Sequence, residues 1–196
     1  FGKVRTASPH NAAPYGDYSK GCVAGAVQLP ETGPTWQAMR LSRNRNWGHP
    51  ELIAFLERLS KTAAKQPGWN GLYIGDMSQP RGGPMFTGHA SHQIGLDADI
   101  WLLPMPKREL TRLEREELSS LNVVRADRLD IDPSAWTDKH LTVIRAAAMD
   151  PAVRAVVSQV PFVDGISVGL SMPLGYSLIG MAHGLVDLIR AATFTG

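Results

Sequence analysis

Four side chains that could bind a metal ion lie within eleven residues of this chain: His89, His92, Asp97 and Asp99. A catalytic zinc site needs a few nitrogen or oxygen donors that converge from a rigid frame, with one coordination position left for water. If the turn at Gly95 brings His92 and Asp99 together, these two residues can ligate one ion. Asp97 would then either orient an imidazole from outside the metal shell or simply begin a strand. The alternative is a loop histidine with local hydrogen bonds, beside solvated residues at His89 and Asp97.

Two short strands are expected to position these donors. Apolar and polar residues alternate over 96–102, which predicts a half-buried strand with Asp97, Asp99 and Trp101 on one face. A second strand is predicted over 72–77. The glycines and prolines of 78–87 predict a loop between the two strands, so the histidines would lie where this loop meets the later strand.

Helices are expected to flank this sheet. Apolar residues at i, i+3, i+4 and i+7 predict a helix over 50–65, and Pro50 is suited to its first turn. The capping-box pattern at 111–114 opens a short charged helix, and another helix is predicted over 137–150. Residues 1–35 are expected to form an irregular arm with one strand. The pattern therefore predicts an α+β fold: a small, mainly antiparallel sheet with flanking helices and long loops around a metal cleft.

Composition narrows the class of protein further. With 196 residues, 43% of them hydrophobic and 19% charged, the chain is long enough for one globular domain and is not of a disordered type. A net charge of +2 without a basic run argues against a nucleic-acid partner. The densest basic patch, Arg40, Arg43 and Arg45, would either contact an anionic ligand or form a solvated turn. Proline, glycine and serine interrupt the uncharged stretch 165–186, so no membrane span is predicted.

Five segments of the chain carry a family resemblance: SKGCVAGAVQLP, WQAMR, RNRNWGHPEL, LYIGDMSQPRGG and GHASHQIGLDADIW. Over roughly residues 16–157 the chain resembles the penicillin-insensitive murein endopeptidases, zinc peptidases related to lysostaphin and to D-alanyl-D-alanine carboxypeptidases. The last segment is the most specific, because it joins a His-x6-Asp spacing to flanking Gly, Ser and Leu residues. The resemblance implies a peptidase-like domain over 1–157 and a divergent C-terminal segment over 158–196.

The resemblance also implies a set of metal-binding residues. His92 and Asp99 match direct zinc ligands, and His89 matches an additional metal-binding position. Asp127 and Asp130 lie near the place where the family has further metal-contacting residues, although the second of these is usually a histidine.

The activity implied by the resemblance is hydrolysis of the D-alanyl to meso-diaminopimelyl cross-link between peptidoglycan peptide stems, in the periplasm. Zinc would activate a water molecule and polarise the scissile carbonyl, while a neighbouring histidine acts as the general base. No serine nucleophile takes part, which would explain indifference to penicillin. Arg40 and His49 are expected either to frame the substrate cleft or its entry, or to be structural surface residues.

One part of the family pattern is missing from this chain. The family completes its site with a later His-x-His pair, which supplies the third zinc ligand and the catalytic histidine, and no such pair occurs here. One explanation is that the C-terminal segment is out of frame, which would make the chain a defective copy. Cys22 agrees with this explanation, because the sequence contains no partner cysteine for it. Alternatively, His183 supplies the third ligand. The remaining possibility is a non-catalytic relative that binds peptidoglycan.

Overall fold

The computed structural model describes residues 2–17, 19–86, 91–127 and 129–153, and these residues combine short strands with short helices. The chain divides into two compact units. Of the described residues, 2–122 and 137–153 belong to the first unit and 123–136 to the second. The expected α+β class is confirmed.

The strands of the first unit form several small sheets instead of the single sheet that was predicted. They are β1 (Ala13–Asp17), β2 (Lys20–Ala24), β3 (Val27–Gln28), β4 (Thr32–Gly33), β5 (Trp36–Ala38), β6 (Trp47–Gly48), β7 (Leu72–Ile74) and β8 (Ile100–Trp101). β1 pairs with β2 and β3 pairs with β6, both antiparallel. The central sheet has the order β4-β5-β7-β8, in which only the β5–β7 pair is parallel.

The prediction of an irregular arm with one strand over residues 1–35 was wrong, because this region contains the β1–β2 hairpin as well as β3 and β4. The hairpin turn is stabilised by Asp17, whose Oδ1 accepts hydrogen bonds from the backbone N–H groups of Ser19 and Lys20. The two strands contain few β-branched residues, so their composition gave no clear strand signal.

The predicted helices are confirmed within a few residues of their expected ends. They are α1 (Pro50–Ala63), α2 (Arg112–Glu117) and α3 (Asp138–Met149). Thr111 and Glu114 form the expected capping box at the start of α2. At the start of α3, Nδ1 of His140 accepts a hydrogen bond from the N–H of Thr137. Among the described residues, no helix has the length and apolar character needed to cross a lipid bilayer.

The central sheet separates two hydrophobic clusters. The larger cluster joins one face of the sheet to α1 and α3 and consists of Leu29, Trp36, Leu52, Ile53, Leu56, Leu59, Ala63, Trp69, Leu72, Ile74, Met77, Val143 and Ala147. The smaller cluster contains Met39, Tyr73, Met105 and Leu110, with Trp101 packed against it. Ile100 packs on the helix side, so its neighbours Asp99 and Trp101 belong to the opposite face.

Both strands near the predicted site are shorter than expected. The segment 96–102 is a strand only at Ile100–Trp101, and the segment 72–77 only at Leu72–Ile74. Pairing extends one step further through the N–H of Gly75, which donates to the carbonyl of Asp99. Beyond that point the chain turns at Gly95, whose φ of 69° is left-handed. The polarity alternation before Asp99 therefore does not mark a strand: this segment is a loop in which Leu96 is 45% exposed.

Candidate metal centre

His92 and Asp99 face each other in the first unit. Nε2 of His92 lies 3.5 Å from Oδ1 of Asp99. Two donors bound at about 2.0–2.1 Å to a tetrahedral zinc ion would be separated by roughly 3.3 Å, so this pair fits a shared ion with very little movement. The His92 residue is only 2% exposed, whereas the Asp99 side chain is 38% exposed. A cation held here would therefore be fixed on its buried side and accessible from the side of Asp99.

Asp97 contacts the opposite edge of the same imidazole. Its Oδ2 lies 2.8 Å from Nδ1 of His92 and also accepts a hydrogen bond from the backbone N–H of His92 at 3.1 Å. A proton held on Nδ1 by this carboxylate leaves Nε2 directed at Asp99 as the donor atom for a metal. Of the two roles considered for Asp97, the contacts favour orientation of the imidazole.

The two carboxylates also control the protonation of His92 when no cation is bound. Burial alone lowers the pKa of His92, but the contacts with Asp97 and then Asp99 outweigh burial and raise this pKa from 6.5 to about 10. The imidazole is then an imidazolium between two carboxylates. A metal ion at Nε2 has to displace a proton, so metal binding and proton release are coupled.

We expect replacement of Asp97 with alanine to lower the affinity for zinc by roughly 10–100-fold, because the imidazole loses the carboxylate that orients it. Asp97→Asn retains an acceptor oxygen for Nδ1 and should recover part of the affinity. Competition with a chromophoric zinc chelator measures the effect, and Asp138→Ala in the exposed first turn of α3 is the matched control. Equal zinc affinity in Asp97→Ala and in the unmodified chain would show that the contact has no orienting role.

The loop that carries His92 is attached to the start of α1. His92 itself has a left-handed φ of 66°, and the carbonyl of Gly95 accepts a 2.7 Å hydrogen bond from the N–H of His49. A Cβ at Gly95 would lie 3.3 Å from the His49 nitrogen and from Val23, so a side chain there would be crowded as well as strained. Nδ1 of His49 caps α1 by accepting from the N–H of Glu51. His49 thus has a structural role at the loop, and its substrate role stays a prediction.

Gln93 attaches the same loop to the β1–β2 hairpin. Its Nε2 donates to the carbonyl of Ser19 at 2.7 Å, and its Oε1 accepts from the N–H of Gly21 at 3.2 Å. Its own carbonyl accepts from the N–H of Gly83. Sequence reasoning missed this residue, since an isolated glutamine gives no signal for partners more than seventy residues away.

Asp76 is a further residue that sequence reasoning missed. Its side chain is 2% exposed, and Oδ2 accepts from Nη1 of Arg45 at 2.6 Å and from Nη1 of Arg43 at 2.8 Å. The carbonyl of Asp76 accepts from the N–H of Asp99. Neither role considered for the basic patch describes Arg45, which is buried against this carboxylate. The sequence did contain a signal for this ion pair. Asp76 ends a predicted strand, and Arg43 and Arg45 had no predicted partner.

Arg40 lies beside Trp101, on the sheet face that also carries Asp99. The Cζ atom of Arg40 is 5.1 Å from the centre of the Trp101 ring. The backbone of Arg40 has a left-handed φ of 54°, and its N–H donates to the carbonyl of Arg115. The predicted substrate-binding residue therefore lies close to the predicted metal ligand.

Two further predicted metal-binding residues, Asp127 and Asp130, are described by their local contacts. Asp127 and Asp130 belong to the second unit, where Asp127 pairs with Arg125 and Oδ1 of Asp130 accepts from the N–H of Ile131. The hydrogen bond from the Leu129 N–H, followed by the Arg125 guanidinium, lowers the pKa of Asp127. Their metal-binding roles stay predictions.

His89, His183 and all of the segment 158–196 with its predicted divergence lie outside the described residues. Among the residues that the structure does describe, no group of three or more histidine, cysteine, aspartate or glutamate side chains is placed to hold a metal ion. The pair His92 and Asp99, with Asp97 behind it, is therefore an incomplete ligand set within the described part of the chain.

Comparison with known proteins identifies the family. Residues 14–162 match the family model described as penicillin-insensitive murein endopeptidase. The chain is 42% identical over 145 residues to the protein of that name from Haemophilus influenzae, covering 74% of this chain and 50% of the relative. The relative from Pectobacterium atrosepticum is 38% identical, covering 72% and 50%, and that from Escherichia coli O1:K1 is 36% identical, covering 79% and 56%. This chain spans about half the length of these curated relatives. The predicted resemblance is confirmed, and the chain belongs to the penicillin-insensitive murein endopeptidase family.

Proposed function

We propose that this chain acts as a zinc-dependent endopeptidase on peptidoglycan, at the D-alanyl to meso-diaminopimelyl amide that joins two peptide stems. The observation that carries the proposal is the 3.5 Å distance between Nε2 of His92 and Oδ1 of Asp99. The contact of Asp97 with Nδ1 of the same imidazole supports it. Membership of the family supports murein as the substrate class. Because the substrate is the cell wall, we propose the periplasm as the location.

His92 and Asp99 would hold the zinc ion, which, when bound, would supply Lewis acidity toward the scissile carbonyl and toward an attacking water molecule. The residues of this chain contribute orientation. Asp97 would keep Nε2 of His92 available to the ion, and hydrogen bonds to the backbone of Gly75 and Asp76 fix Asp99. The partial exposure of Asp99 leaves that side accessible to a peptide.

The chain contains no His-x-His pair, so the third ligand and the general base are not assigned. His183 is the proposed substitute ligand, and His89 is proposed as an additional metal-binding residue. The missing pair favours a second candidate function, a relative that binds peptidoglycan without cutting it, because two ligands alone hold zinc weakly.

The proposal is tested with the purified full chain, dialysed against zinc-free buffer and then analysed for metal by mass spectrometry. We expect about one zinc ion per chain and, on incubation with purified sacculi, conversion of cross-linked muropeptide dimers to monomers, as seen by chromatography. Chelator should stop the reaction and penicillin should not. A folded, zinc-free chain that sediments with sacculi and leaves every cross-link intact would instead establish the binding function.

A further inference from the structure

Arg40, a half-buried residue, differs from Arg45 and Arg115, the buried arginines described in the first unit. Arg115 donates to the carbonyls of Leu110 and Glu31 and pairs with Glu109, while Arg45 pairs with Asp76. In contrast, Nη1 of Arg40 is buried without a hydrogen-bond partner, and no carboxylate of the described residues pairs with this guanidinium. Buried donors in proteins are nearly always satisfied, so this nitrogen calls for a partner that the described residues do not supply.

The indole of Trp101 contacts Arg40 without pairing its charge. Cζ of Arg40 lies over the Trp101 ring, 5.1 Å from its centre, in a cation–π contact. Nη1 has no hydrogen-bond partner among the described residues, and a carboxylate is the group whose geometry matches the guanidinium fork.

Trp101 also places Arg40 next to the metal centre. Both Trp101 and Asp99 border Gly75: a Cβ at this glycine would lie 2.7 Å from Nε1 of Trp101 and 3.1 Å from Cβ of Asp99. Moreover, Arg40 and His92 both have a left-handed backbone, which costs energy in residues other than glycine and is concentrated at functional sites.

We propose that Arg40, supported by Trp101, binds a free carboxylate of the substrate beside the scissile amide and so selects anionic peptide stems. This inference rests on the proposed function. In the cross-link named above, the carbon that bears the scissile amide nitrogen also carries a carboxylate. Arg40 would bind this carboxylate while His92 and Asp99 lie at the amide.

The test uses two synthetic cross-linked peptides that differ only at this group, one with the free carboxylate and one with the carboxamide. Binding to the full chain is measured by calorimetry in the presence of chelator, so that no turnover occurs, and hydrolysis is measured separately with zinc. We expect the free acid to bind roughly 10–100-fold more tightly, the range of a charge-assisted hydrogen bond. Arg40→Met should reduce the ratio to about one, and Arg40→Lys should retain part of it.

Arg112→Met, which removes an exposed arginine on α2, is the matched control and should keep the full ratio. Arg40→Gln is the second variant if Arg40→Met fails to fold, as judged by circular dichroism. An unchanged preference in the folded Arg40 variants, or a wild-type chain that binds both peptides equally or neither, would overturn the inference. A chain that leaves the amide intact but shows an Arg40-dependent preference would contradict the peptidase and support the carboxylate site.

Discussion

Replacing His92 or Asp99 with asparagine is expected to abolish hydrolysis of cross-linked muropeptides and to weaken zinc binding by more than the roughly 10–100-fold expected at Asp97. His92→Asn removes the imidazole and Asp99→Asn neutralises the carboxylate of the two proposed zinc ligands, whose donor atoms lie 3.5 Å apart. Asparagine is the suitable replacement at His92, because it tolerates the left-handed backbone of this position. Asp99→Asn preserves the size of the side chain and removes only its charge.

His10→Asn is the matched control for these variants, because His10 is an exposed histidine in the N-terminal region, distant in sequence from His92. The measurements are zinc content after dialysis and chromatography of digested sacculi. Zinc content and hydrolysis that match the unmodified chain in either variant, with folding verified by circular dichroism, would exclude that residue as a ligand.

Asp76→Ala is expected to reduce the free energy of unfolding by about 3–5 kcal/mol, which corresponds to a decrease in Tm of roughly 6–20 °C. The reason is that Arg45, only 8% exposed, would keep its charge in the interior without the carboxylate that Asp76 supplies. Zinc affinity should fall as well, because the carbonyl of Asp76 accepts the hydrogen bond from the N–H of Asp99. Urea unfolding followed by tryptophan fluorescence measures the stability, and chelator competition measures the zinc affinity.

The comparison that isolates the buried charge is the double variant Asp76→Ala, Arg45→Met. Removing both partners of a buried pair costs far less than removing one, so this double variant should be more stable than Asp76→Ala alone. Arg43→Met is the control for the half-exposed partner and should cost less than about 1 kcal/mol. A double variant less stable than the single one would mean that the Arg45 side chain contributes packing and not an uncompensated charge.

The helices could be predicted closely because their signals are local. The apolar spacing in α1, the Thr111 and Glu114 capping box, and the Asp150-Pro151 stop all act within one or two helical turns. The sheets could be predicted less well, since the β1–β2 hairpin depends on an Asp17 turn and on tertiary contacts through Gln93. The lengths of β7 and β8 were predicted too long, because alternating polarity does not reveal where the backbone turns, as it does at Gly95.

The candidate site was predictable in its residues but not in its contacts. The His-x6-Asp spacing identified His92 and Asp99, and the resemblance carried the same two residues. The choice between the two roles for Asp97 required its contact with Nδ1 of His92, which the sequence does not reveal. Asp76 could not be identified from the sequence, because its importance comes from a buried charge pair between distant segments.

Gly75 gives this site a constraint on how it can change through evolution. The space that its missing side chain leaves is occupied jointly by the Trp101 indole and the Asp99 methylene. A mutation to alanine at this position would displace both neighbours at once, one beside Arg40 and one in the candidate metal pair. Descendants of this chain that replace this glycine would therefore need paired changes at Trp101 and Asp99.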